Sequence, residues 1–161
     1  MTFGLAAFAQ LPFASQSVET KSIEEQIRDV ATQTLTGLTT TGSNIFASRV
    51  HNIEDIKLPA LLLYTKNIDS EIISIKPRRI EKNITLSVEG YVKQNTNFDN
   101  KIDDIAEEVE EALFTNRLLD NLAKDSFLIQ TAVEYESEGE KPLARIIMDF
   151  NVKYHHSEGV L

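Results

Sequence analysis

The sequence predicts an α+β two-layer sandwich, a mixed or antiparallel β-sheet packed against two main helices. Three observations carry that prediction. Ile84, Leu86, Val88 and Val92 alternate with Thr85, Ser87, Glu89 and Lys93, which is the period of a half-buried strand. Ala144, Ile146, Met148, Phe150, Val152 and Tyr154 alternate in the same way with Arg145, Asp149, Asn151 and Lys153. Between these strands Ile102, Ile105, Ala106, Val109 and Leu113 recur at helical spacing, while Asp103, Asp104, Glu107, Glu108, Glu110 and Glu111 fill the other face. Strands with one apolar face and helices with one apolar stripe bury those surfaces against each other.

In chain order, residues 1–21 read as an extended apolar arm. Its apolar run lacks a basic start, the first lysine being Lys21, and is broken by Gly4, Gln10 and Pro12. It is therefore taken as a non-cleaved arm and not as a signal peptide. Phe3, Phe8 and Phe13 recur every five residues, a spacing that matches neither a helix face nor a strand face. Such aromatic anchors suit pockets on a partner or on the chain's own domain.

The first helix spans 22–35. Ser22 and Glu25 form a capping box, Ile23, Ile27, Val30, Ala31, Leu35 and Leu38 trace one stripe, and Gly37 is the stop. The threonine-rich stretch 39–43 is a turn. It lacks the Gly-Lys-Ser/Thr ending of a phosphate loop. Residues 44–51 read as a strand and 52–57 as a loop or single helical turn. The run 58–65 is almost wholly apolar, as in a strand covered on both faces, with Pro59 at its start. Ile72, Ile73 and Ile75 suggest a short strand before Pro77, within a loop or projecting hairpin arm over 67–77. The central strand covers 79–94. Asn97 or Asp99 caps the acidic helix, 118–123 is a short helical turn, 127–136 is a strand, and 138–142 turns into the last strand. From His155 the tail is expected to be loose. Residues 22–156 thus make one domain and 157–161 a loose C-terminus.

A chain of 161 residues with 42% apolar and 25% charged residues is long enough for a sizeable core. No apolar run approaches the roughly 20 residues of a membrane helix. The formal net charge of −9 argues against a general nucleic-acid-wrapping surface. The absence of cysteine excludes disulfides, thiol catalysis and cysteine zinc sites.

No catalytic, cofactor-binding or metal-binding residues are predicted. The acidic run over 99–111 lacks the alternating ligands and turn glycine of a calcium loop, and reads as a solvated helix face. His155 and His156 are neighbours on an extended segment and point apart. Lys76, Arg78, Arg79 and Lys82 form the one basic cluster, suited to a phosphate contact or to a salt-bridging patch against an acidic neighbour. The candidate interface residues are Phe3, Phe8, Phe13, Lys76, Arg78, Arg79, Asp103, Glu107 and Glu111.

The segments Leu35-Thr36-Gly37-Leu38, Thr41-Gly42, Phe46-Ala47-Ser48-Arg49-Val50, Leu58-Pro59-Ala60-Leu61, Tyr64-Thr65, Pro77-Arg78-Arg79, Val88-Glu89-Gly90-Tyr91-Val92, Gly139-Glu140-Lys141-Pro142 and Asn151-Val152-Lys153-Tyr154 follow one another in that order. Together they resemble the phage minor tail protein U family, the tail terminators of long-tailed phages. The resemblance covers about 22–154. It implies a sheet packed on helices and a homo-oligomer, a hexameric ring that caps the tail tube and stops its polymerisation. The implied partners are the major tail tube protein and a head-completion or neck protein, with DNA passing through without specific binding and no membrane. The implied location is the virion tail or neck, after assembly in the host cytoplasm. The arm over 1–20 departs from the family pattern. A different reading is a monomeric adaptor that recruits a partner through its aromatic arm, and a third is a metal-dependent enzyme using the acidic run.

Overall fold

A computed structural model describes residues 20–47, 57–93, 96–136 and 143–159. Its elements are α1 (Ile23–Leu35), β1 (Ile45–Phe46), β2 (Ala60–Ile75), β3 (Arg78–Lys93), α2 (Phe98–Thr115), β4 (Asp125–Glu136) and β5 (Leu143–Ser157). The strands form one five-stranded sheet in the order β1-β2-β3-β5-β4. The short β1 runs parallel to β2, and every other pairing is antiparallel. The predicted two-layer α+β architecture with a mixed sheet is therefore the observed one.

The alternations build the core. Ile84, Leu86, Val88 and Val92 of β3 join Ala144, Ile146, Met148, Phe150, Val152 and Tyr154 of β5 beneath both helices. Ile27, Ala31 and Leu35 of α1 and Ile102, Ile105, Val109 and Leu113 of α2 complete the same cluster, as spacings of three and four residues require. At Gly90 the sheet packs tightly against α2. A Cβ there would lie 2.9 Å from the Cγ2 methyls of both Ile105 and Ile146.

Helix α1 begins and ends where its sequence directs. The Ser22 hydroxyl accepts from the Glu25 amide at 3.2 Å, and Gly37 stops the helix at φ +92°. Gly37 and Leu38 then exchange backbone bonds with Gly42, closing the threonine-rich turn. The apolar run is also as expected: Ala60, Leu61, Leu62 and Leu63 are all buried. It starts just after Pro59.

The other expectations are sharpened or changed. The first strand is only Ile45–Phe46 within the described residues, and most of 44–57 lies outside them. Of the loop and the hairpin expected over 67–77, the structure has the hairpin: β2 runs on past Thr65 to Ile75, paired with β3, and irregular register at Lys66 and Ile73 masked the length of the strand. The segment 118–123 is not a helical turn. Leu119, Asp120 and Asn121 all have positive φ, and the Asn116 side chain accepts from the Asp120 amide and donates to its carboxylate, a short polar side chain stabilising a left-handed turn. The tail from His155 is not loose from its start, because His155, His156 and Ser157 continue β5 opposite Glu81, Ile80 and Arg79. Asn97 holds the N-cap position of α2, but at φ 58° and without a side-chain cap bond. The turn 138–142 and the aromatic arm lie outside the described residues.

Candidate functional site

The helix-free face of the sheet was the side that alternation assigned to water. On β3 it is instead buried: Ser87, Glu89 and Tyr91 are at most 6% exposed. Because β3 and β5 are central strands, their polar side chains are flanked on both sides. Glu89 accepts from the Tyr64 and Tyr91 hydroxyls, each at 2.6 Å, and from Arg145 at 3.2 Å. Asp149 accepts from Ser87 at 2.8 Å and from Lys66 at 2.9 Å. Burial and the bond to Glu89 push the Tyr91 hydroxyl well above the usual tyrosine range, and the bond to Asp149 raises the Lys66 ammonium. Both carboxylates are taken up by internal bonds, so this network holds the sheet's register. Sequence reasoning missed it, although a glutamate and an aspartate on strands beside Tyr64, Tyr91 and Arg145 were its signal.

The predicted basic cluster is divided. Lys76 and Pro77 form the hairpin turn, and Arg78 and Arg79 open β3 beside it. Arg78 pairs with Glu158 at 3.0 Å. Lys76 and Arg79 have no ion-pair partner among the described residues. Lys82 leaves the cluster. It reaches the start of α1, where Glu24 accepts from Lys82 at 2.7 Å and from the Tyr154 hydroxyl at 2.6 Å. Burial opposes ionisation of Glu24, but these two bonds outweigh it and hold its carboxyl at about 2.

Toward its tip the β2–β3 hairpin carries exposed isoleucines, with β5 paired alongside β3 as far as Ser157. Ile84 is buried, but the isoleucines opposite the far end of β3 are not: Ile72 is 58% and Ile75 is 72% exposed. Beyond Leu62, β2 has no neighbour on its outer side among the described residues, since β1 reaches only Leu61 and Leu62. The opposite edge of the sheet, β4, is likewise unpaired there.

The acidic helix is divided as well. Glu108 turns toward α1, accepting from the Thr40 amide and hydroxyl at 3.0 and 2.8 Å. Asp103, Glu107 and Glu111 stay exposed. Glu107, Glu110 and Glu111 line a groove of about 800 Å³ between α2 and β4, floored by Leu113, Phe114, Phe127, Leu128 and Phe150. Phe114 is 72% exposed, and Arg117 and Asp125 pair at 2.7 Å within the groove lining. The basic tip and the acidic row share no ion pair within the chain among the described residues. Phe3, Phe8 and Phe13 lie outside the described residues.

Among the described residues no group of metal-ligating side chains converges, and no helix is long and apolar enough to cross a membrane. His155 faces Glu81 at 2.7 Å, while His156 contacts the Ser157 carbonyl. What the described residues do present is a β2–β3 hairpin tip flanked by β5, two open sheet edges and an acid-rimmed apolar groove. Open strand edges and exposed apolar surface of this kind are features on which another protein chain can dock.

The comparison with known families makes that class specific. The family model of phage minor tail protein U matches residues 22–154. The chain belongs to this family and is a structural component of the phage tail. No curated protein matches it.

Proposed function

We propose that the chain is a tail terminator. Copies of it form a six-membered ring on the end of the growing tail tube, stop the polymerisation of the major tail tube protein, and present a surface to a head-completion or neck protein. The ring sits at the neck of the virion after assembly in the host cytoplasm, and DNA passes through its hole without specific binding.

The observation that carries this reading is the inequality of the two free edges of one sheet. The distal part of β2 and the whole of β4 are different surfaces at opposite ends of the strand order. Contact between unlike surfaces is head-to-tail, and it closes into a ring when the rotation closes. Family membership supports the tail as the place of assembly. The net charge of −9 suits a conduit that repels a passing polyanion.

Light scattering coupled to size exclusion, with and without tail tubes of the cognate phage, tests the proposal. The expected result is a mass near six subunits, alone or on the tube, and tubes that no longer elongate. A monomer that leaves tube growth unchanged overturns it. A monomer that captures a partner through the aromatic arm replaces it with the adaptor reading. Deleting residues 1–17 is expected to impair joining to the neck or to the adjacent subunit. Unchanged ring formation and head joining would remove the arm from both contacts.

A further inference from the structure

The tip of the arm and the α2–β4 groove match each other in chemistry and lie on opposite sides of one molecule. We propose that the β2–β3 arm of one copy docks in the α2–β4 groove of the next copy. The inference rests on the ring reading and assigns its subunit contact.

Charge is the first ground. Residues 72–79 carry Lys76, Arg78 and Arg79 and no acidic residue. The groove carries Glu107, Glu110 and Glu111 without ion-pair partners among the described residues. Apolar surface is the second. Ile72 and Ile75 are exposed on the arm, as are Phe114 and Phe127 in the groove, so docking removes both sets from water. An open edge strand with exposed isoleucines is otherwise a site of uncontrolled edge pairing.

Position is the third ground. Asp69 on the arm lies level with Asn83 of β3, Asn83 with Lys153 of β5, and Lys153 with Asp125 at the start of β4. The open part of β2 and the mouth of the groove are thus at the same end of the sheet, on opposite edges. Side-by-side copies bring arm and groove together without inverting a subunit. The pairings β2–β3, β3–β5 and β5–β4 are all antiparallel, so a neighbour's β2 would also meet β4 antiparallel. A contact of this kind is heterologous and propagates around a ring.

The absence of cysteine from the chain permits a clean test. Full-length Ile75→Cys and Phe114→Cys proteins are prepared separately, mixed on cognate tail tubes, and treated with a short bismaleimide. Circular dichroism confirms that each is folded, and both sites are exposed. A covalent dimer in the mixture, and none with either protein alone, is the expected result. Charge reversal at Lys76 and Arg79 is expected to weaken association about tenfold or more, with recovery when the partner carries Glu107→Lys and Glu111→Lys.

A ring that forms without the mixed cross-link overturns the arm–groove contact and leaves the ring standing. Linkage of Ile75→Cys to itself means tip-to-tip pairing and overturns it too. Linkage of Phe114→Cys to a cysteine placed at Phe8 puts the N-terminal arm in the groove instead, which also overturns it. Monomers with and without tubes, with tube growth unchanged, overturn the ring reading itself.

Discussion

Gly90 shows how one missing methyl sets the spacing of the two layers. The Cγ2 atoms of Ile105 and Ile146 would stand 2.9 Å from an added Cβ, and both belong to β-branched side chains that are stiff at χ1. Gly90→Ala is expected to destabilise the fold by about 1–3 kcal/mol through overpacking, measured by urea unfolding. Glu24 acts at the other end of the core, tying α1 to β3 and β5 through Lys82 and Tyr154. Its carboxyl is lowered from 4.5 to about 2. The folded state thus prefers the ionised form, and the resulting stability is present above pH 4.5 and lost as pH falls toward 2. Glu24→Gln is expected to lose about 1–3 kcal/mol at neutral pH. The gap between variant and parent should close across that acid window in a pH series of thermal melts.

Each main element has one buried flank and one that meets something else. Helix α2 lies between α1 and β4, which explains why its acidic residues do not share one fate. Glu108 faces α1 and binds Thr40, Glu107 and Glu110 face the groove, and Glu111 borders both the groove and the cleft beside α1. The β2–β3 hairpin is similarly two-natured. Near its base, β2 is buried through Leu63, whereas residues 67–73 are exposed. Among the described residues, backbone amides of the far half of β2 have a neighbouring strand on one side only, but those of β3 lie between two strands. Native-state hydrogen exchange is expected to be fastest in residues 67–75 and slowest around 84–92. Docking of the arm on a second copy should slow the former. Equal protection in the two halves of free protein would contradict this ordering.

For the molecule as a whole, the unlike surfaces matter more than the net charge of −9. Like-charged subunits repel at long range, so association depends on a local reversal of sign. The tip over 72–79 supplies positive charge and the groove supplies negative charge. Salt screens both effects, but attraction across a contact acts at shorter range than the repulsion between whole subunits. If the charged contact dominates, the association constant falls several-fold on raising salt from about 0.05 to about 0.5 M, read by light scattering. A salt-independent association would assign the contact to its isoleucines and phenylalanines alone.

Local patterns were enough for the helices and the two central strands. The alternation at 84–92 and 144–154, the stripes at 23–35 and 102–113, Ser22 and Gly37 depend only on neighbours within a few residues, and each appears in the structure where it was read. Family membership was legible for the same reason, since the order of these elements is itself a sequence property. The surfaces were legible only as charge: a basic stretch near Pro77 and an acidic helix. Tertiary structure decided how they are used. It made β3 and β5 central and so buried Glu89 and Asp149. It drew Lys82 and Glu108 away from their clusters, and it set α2 beside β4 to form the groove. A side chain's periodicity records which face it occupies, but only the packed sheet and helices determine what lies opposite that face.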